Sequence, residues 1–208
     1  MYNLYLFMLA SVLLTIAPGP DNIYVLTRGI AQGRAAALAA ALGFTSGLVG
    51  HTMLAVFGLA AVIRSSELLF SLIKFAGAAY LLYLGYRTLR QREPLLSSEP
   101  AGNAVALRRI YGQSVVANLL NPKVSLFFLS FLPQFVNRDA GHPELQMLVL
   151  GGVFMVETLV IFGMIALCSG TLGNWLRTRP AVSRRLNTAA GVTFIGIGVR
   201  LAVSERGV

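Results

Sequence analysis

Long apolar runs alternate with short polar connections along this chain. Six runs reach the length needed to cross a bilayer, about 20 mostly apolar residues: 3–26, 38–63, 68–86, 111–135, 145–168 and 186–203. Two of them are interrupted. The first contains Ala17-Pro18-Gly19-Pro20-Asp21 and the fourth contains Asn121-Pro122-Lys123. Proline has no N–H to donate, and its ring clashes with the carbonyl four residues back. Glycine between two prolines adds backbone freedom. Each of these runs is therefore expected to be a broken helix with a charge at the break. Broken backbone at membrane depth is tolerated only where it is buried in protein or lines a cavity. The pattern predicts an all-α integral membrane protein of six transmembrane helices, with helices 1 and 4 broken.

The one polar stretch of any length, 91–107, contains Pro94, Ser97, Ser98, Pro100 and Gly102. It reads as a flexible linker. The expected organisation is a three-helix half (1–90), a polar basic cytoplasmic linker (91–110) and a second three-helix half (111–208). Three crossings per half put the start of the second half on the opposite side from the first. Any repeat between the halves must then be inverted, as in many secondary transporters. A weak internal match fits: Gly85-x-Arg87 falls opposite Gly198-x-Arg200, and Pro20-Asp21 opposite Pro122-Lys123. Residues 137–143 read as a surface turn. Residues 174–185 read as a basic loop, with Trp175 as an interfacial anchor. In the second run Ala39, Gly43 and Gly47 form a stripe of small residues. Such stripes let helices approach closely, within one bundle or between two copies. A homodimer is the expectation drawn from it.

Composition sharpens the class. The chain is 56% apolar and 12% charged, about half the roughly 25% charged residues of a soluble domain. Its net charge of +9 does not point to nucleic acid, because the arginines lie between apolar runs and form no continuous face. They follow the positive-inside rule instead. With the N-terminus outside, the inner segments hold Arg28, Arg34, Arg87, Arg90, Arg92, Arg108, Arg109, Arg177, Arg179, Arg184 and Arg185. The outer segments hold only Arg64, Arg138, Arg200 and Arg206. Both termini are thus expected outside, in a multi-pass membrane protein. The N-terminus lacks a basic flank and a cleavage pattern, so it reads as a retained first helix. A single cysteine, Cys168, excludes an intrachain disulfide and a cysteine metal cluster. No cofactor and no metal are expected.

Ionisable groups inside apolar runs are the candidates for chemistry, because charge in the bilayer is costly and is kept for function or pairing. Asp21 and Lys123 each follow a proline at a break. They pair with each other, or hold the two ends of a substrate that carries an ammonium and a carboxylate, or do both. In the second case the carboxylate would meet Lys123 and a helix end, and the ammonium would meet Asp21 and freed carbonyls. Glu157 in the fifth run and His51 in the second join Asp21 as candidates for proton coupling. Lys74 lies near the start of its run, where a lysine snorkels to the surface.

These motifs resemble the LysE/RhtB family of amino-acid exporters. The resemblance rests on Ala17-Pro18-Gly19-Pro20-Asp21, on Asn121-Pro122-Lys123, on Gly43, Gly47 and Gly50 beside His51, and on the basic connection after the third run. It covers nearly the whole chain. It implies efflux of amino acids or their derivatives from the cytoplasm, driven by the proton motive force. The implied substrate site is Pro18, Gly19, Pro20, Asp21, Asn121, Pro122 and Lys123. No residue selects among basic, hydroxy and branched-chain amino acids. Rival readings fit less well. A metal-ion exporter would want soft ligand clusters, and the chain has one Cys and two His, although some relatives of the family are thought to move cations. An intramembrane enzyme would need a nucleophile with its base or a paired carboxylate in a supporting context. A scaffold has no need of two charged breaks.

Overall fold

Prolines decide where the first helix stops. In the computed structural model, which describes residues 4–59, 67–90, 105–137 and 140–203, α1 (Leu4–Ile16) ends before Ala17-Pro18 and α2 (Pro20–Gln32) begins on Pro20. A proline is tolerated as the first residue of a helix, where its missing N–H has no intrahelical acceptor to lose. The two axes differ by 53°. Helix α3 (Arg34–Met53) continues as a π-helical turn, Leu54–Leu59. Helix α4 spans Glu67–Arg90.

The second interruption repeats the first. Helix α5 (Leu107–Leu119) stops, and α6 (Pro122–Leu126) begins on Pro122. It continues as a π-helical segment, Phe127–Phe131, and a 3-10 turn, Leu132–Phe135. The bend is 46°. Helices α7 (Pro143–Thr178) and α8 (Pro180–Val203) complete the chain. The described residues contain no strand.

The chain is an all-α membrane protein. Among the described residues, segments Arg34–Gly58, Pro143–Gly173 and Arg184–Val203 are long and apolar enough to cross a membrane, and counting each bent pair as one span brings that number up to five. Helix α4 has 24 residues, about 36 Å at 1.5 Å per residue. Large apolar side chains such as Tyr5, Phe57, Leu68, Val156 and Val203 face outward. That surface suits lipid better than water.

Two expectations about connections need correction. The basic loop expected at 174–185 is helical except at Arg179 (φ −131°, ψ 71°). Proline at 180 cannot extend α7 but can start α8, so the connection shrinks to a single residue. The Arg179 guanidinium lies 5.7 Å from the centre of the exposed Trp175 ring. Helix α5 already starts at Leu107, inside the expected linker. Residues 91–104 of that linker, and 60–63 of the second run, lie outside the described residues. Of the surface turn expected at 137–143, residues 138 and 139 lie outside the described residues. Gly141 (φ 69°) and His142 (φ 49°) reverse the chain in left-handed conformations, and Gln146 Nε2 donates to the carbonyls of Asn137 and Gly141.

Small residues set the helix contacts. Helix α3 packs against α5 and α7, and α4 packs along α8. A Cβ on Gly43 would stand 2.6 Å from Ser114 Cβ, and one on Gly47 would stand 2.7 Å from Asn118 Cβ. The stripe on α3 is thus used inside the chain, against α5, and no longer argues for a homodimer. On the other side of the bundle a Cβ on Gly191 would stand 2.9 Å from the Gly85 carbonyl oxygen. One on Gly198 would stand 3.1 Å from the Ala78 carbonyl oxygen. Later residues of α8 therefore meet earlier residues of α4, and the two helices run antiparallel.

Beyond the second break, aromatic rings fill the core. Phe127 stacks near Phe131 (5.0 Å between centroids) and Phe154 (5.3 Å), and Phe7 meets Phe135 (5.4 Å). All five rings are buried. The π-helical segment that carries Phe127 and Phe131 packs on α4, where a Cβ on Gly77 would stand 2.6 Å from Ser130 Cβ.

Candidate substrate site at the helix breaks

The two breaks face each other. Gly19 is the N-cap of α2, Pro20 its first residue, and Asp21 stands in its first turn. Asn121 is the N-cap of α6, Pro122 its first residue, and Lys123 follows. Asn121 Oδ1 accepts from the Lys123 backbone N–H at 3.1 Å, the usual service of a capping asparagine. Glycine at 19 has a direct reason. Its backbone is extended, but a Cβ there would stand 2.7 Å from Asp21 Oδ1 and 3.1 Å from Lys123 Nζ.

Lys123 ties the breaks together. Its Nζ donates to the Ala17 carbonyl at 3.3 Å and lies 3.6 Å from Asp21 Oδ1. The second distance is an ion pair but too long for a hydrogen bond, which is why Asp21 Oδ1 has no hydrogen-bond donor among the described residues. Both side chains are only 5% exposed. Burying two charges is costly unless they are paired. Two carbonyls at the end of α1 find side-chain donors: Ala17 is met by Lys123, and Thr15 by Asn22 Nδ2 at 2.8 Å.

Lys123 also borders two cavities. The larger, about 590 Å3, is lined by Pro18, Gly19, Pro20, Asn121, Pro122 and Lys123 from the breaks. Ile23 of α2 adds to the wall, Tyr80, Leu84, Arg87, Thr88 and Arg90 come from α4, and Asn187 and Phe194 come from α8. The smaller, about 10 Å3, lies behind Lys123 and is bordered by Asp21, Thr15, Asn118 and Thr158 among others. Six of the seven residues expected to hold substrate therefore share one wall. Asp21 lies behind that wall, separated from the larger cavity by its partner lysine.

The two remaining candidates stand elsewhere. His51 Nε2 lies 3.0 Å from the Asn118 carbonyl, in the last turn of α5. Glu157 accepts a hydrogen bond from the Ser11 hydroxyl and so links α7 to α1. Neither lines these two cavities. Lys74 lies over the ring of Phe75, 4.6 Å from its centre. Among the described residues no group of three or more His, Cys, Asp or Glu could hold a metal ion.

Sequence reasoning did not single out the α4 and α8 side of the large cavity. A periodic signal was present. Tyr80, Leu84, Arg87 and Thr88 recur at three- and four-residue spacing, and Asn187 and Phe194 are seven apart, so each set lies on one helical face. Without knowing that α4 and α8 pack on the breaks, that face could not be told from a lipid-facing one.

Comparison with known proteins adds an independent line. The sequence model of the LysE type translocator matches residues 12–205. The chain is 34% identical over 203 residues to an uncharacterized membrane protein of Vibrio cholerae, with 96% of each chain covered. It is 31% identical over 209 residues to a leucine efflux protein of Klebsiella pneumoniae, covering 98% of this chain and 96% of that one. A leucine efflux protein of Enterobacter is 29% identical over 200 residues, with 96% and 95% covered. No solved structure matches the chain. Match length, paired helix breaks and apolar helices agree, and the chain belongs to the LysE type translocator family.

Proposed function

We propose that this protein exports amino acids from the cytoplasm, with leucine-like side chains preferred and the proton motive force as the drive. The observation that carries the reading is the buried Lys123–Asp21 pair at the meeting of two helix breaks, on the wall of a cavity of about 590 Å3. A zwitterion presents one charge for each partner. Its carboxylate takes the place of Asp21 at Lys123; drawn toward the cavity, Lys123 frees the Ala17 carbonyl and uncovers Asp21, and these two meet the ammonium. Apolar side chains on the cavity wall, Ile23, Leu84 and Phe194, suit an aliphatic substrate. The relatives named for leucine efflux support the same class.

The reading places six spans as two inverted three-helix repeats. Support comes from the parallel order N-cap, proline, charged residue at both breaks. Support also comes from the α4–α8 crossing. The Gly85–Gly191 and Gly198–Ala78 approaches exchange with each other under the offset that relates Gly85 to Gly198. Arginine placement supports a topology with both termini outside the inner membrane. The large cavity then opens, past Arg87 and Arg90, toward the cytoplasm, while the phenylalanine cluster closes the outer side. Glu157, His51 and Asp21 carry the coupling proton in this scheme.

Cells producing the protein and loaded with a leucine-containing dipeptide should release free leucine faster than cells with an empty vector. An uncoupler should remove the difference. Equal release with and without the protein, for leucine and for a panel of other amino acids, would refute the proposal.

A further inference from the structure

Five nitrogen-bearing side chains line the large cavity: Lys123, Asn121, Asn187, Arg87 and Arg90. No aspartate or glutamate is among the described residues of its wall. Two of the five are unusual. Asn121 and Asn187 are 5% and 3% exposed, and the Nδ2 of each has no hydrogen-bond acceptor among the described residues. Buried amide donors are normally satisfied, so two on one cavity wall call for an explanation. They come from different elements: Asn121 caps α6, and Asn187 lies in α8. Asn121 already spends its oxygen on the Lys123 backbone N–H, which leaves its amide N–H groups for the cavity.

A group with several lone pairs and a negative charge answers this set of donors. A carboxylate offers two oxygens and about four acceptor positions, and hydrogen bonds to a charged acceptor are the strong kind. We propose that Asn187 and Asn121, together with Lys123, form a subsite for the substrate's free carboxylate, and that this wall of donors and cations rejects amino acids with cationic side chains. The proposal deepens the export reading and rests on it for the rest of the substrate. It adds Asn187 as a binding residue, and it gives Arg87 and Arg90, both exposed near the end of α4, a role in selection. A lysine or arginine side chain in this cavity would meet three like charges and no carboxylate on the wall. A leucine side chain would meet Ile23, Leu84 and Phe194.

The test is ligand binding by the purified full-length protein in detergent, read by calorimetry. Four probes are used: leucine, leucinamide, 4-methylpentanoate and lysine. Leucine and 4-methylpentanoate, which lacks the ammonium, should both bind. Leucinamide, which lacks the carboxylate, and lysine should bind about 10- to 100-fold more weakly than leucine, the range for a lost charged hydrogen bond. Asn187→Ala should weaken leucine by a similar factor. Asn121→Ser keeps a capping oxygen and removes the amide donors without adding a charge beside Lys123, so it tests the same subsite should Asn187→Ala fail to fold. Leucinamide or lysine binding as tightly as leucine, or unchanged leucine affinity in a folded variant, would overturn the subsite while leaving amino-acid export standing. Binding of 4-methylpentanoate without leucine would retain the subsite and remove the amino-acid reading. Binding of none of the probes would overturn both.

Discussion

Replacing Gly43 by alanine tests whether the contact between α3 and α5 sets the position of the second break. The new Cβ would stand 2.6 Å from Ser114 Cβ, and closer still to the Tyr111 carbonyl oxygen. Carbon atoms rest about 3.5–4.0 Å apart, so the helices must separate by about 1 Å. Neither obstacle can swing away, because one is backbone and the other is attached directly to it. Overpacking of this kind costs about 1–3 kcal/mol. For a chain of this length each kcal/mol lowers the melting temperature by about 2–4 °C. Gly112→Ala and Gly152→Ala serve as controls, since a Cβ at either meets nothing within 4 Å. They should be neutral or stabilising, by up to about 1 kcal/mol, because alanine favours a helix over glycine. The assay is thermal loss of the monodisperse peak of detergent-purified protein. Gly43→Ala melting at the parent temperature, or no lower than Gly152→Ala, would show that the close approach of α3 and α5 does not constrain the bundle.

Four further outcomes are expected. Lys123→Gln leaves Asp21 buried without its cation and should cost about 3–5 kcal/mol; adding Asp21→Asn should recover most of the loss, which paired melting curves will show. Exchanging the charges, Asp21→Lys with Lys123→Asp, should restore stability but not leucine efflux, because the helix ends keep their orientation; full efflux by the exchanged protein would remove any directional role for the carboxylate. Gly19→Ala forces a Cβ against Asp21 Oδ1 and Lys123 Nζ and should reduce efflux while membrane insertion stays normal; parent-level efflux would show that the pair need not be this close. Pro18→Ala with Pro20→Ala removes both backbone constraints at the first break, each worth about 3 kcal/mol in a helix interior; the double variant should insert but not transport, and normal efflux would sink the idea that the break makes the site.

Helix breaks were legible in the sequence because proline and glycine act through local backbone geometry, which needs no knowledge of neighbours. Their partnership was only partly legible. The pattern of a proline followed by a charge could be read twice, but the 3.6 Å approach of Lys123 to Asp21 depends on how two distant spans cross. Periodicity placed the apolar runs well and the ends of α7 and α8 poorly. The stretch between them is polar enough to resemble a loop, yet helix formation continues until Pro180 stops it. The glycine stripe was found for the right reason, close packing, while the identity of the helix it packs on came only from the structure. Asn187 stayed hidden because one asparagine at the start of an apolar run carries no mark of being buried beside a cavity.

Lys123 belongs to both cavities, and its ammonium is the knot between the end of α1 and the start of α6. A ligand that draws this ammonium outward into the larger space loosens the knot by the same stroke. Filling the cavity and freeing the two broken spans are then one linked equilibrium, each favouring the other by an equal free energy.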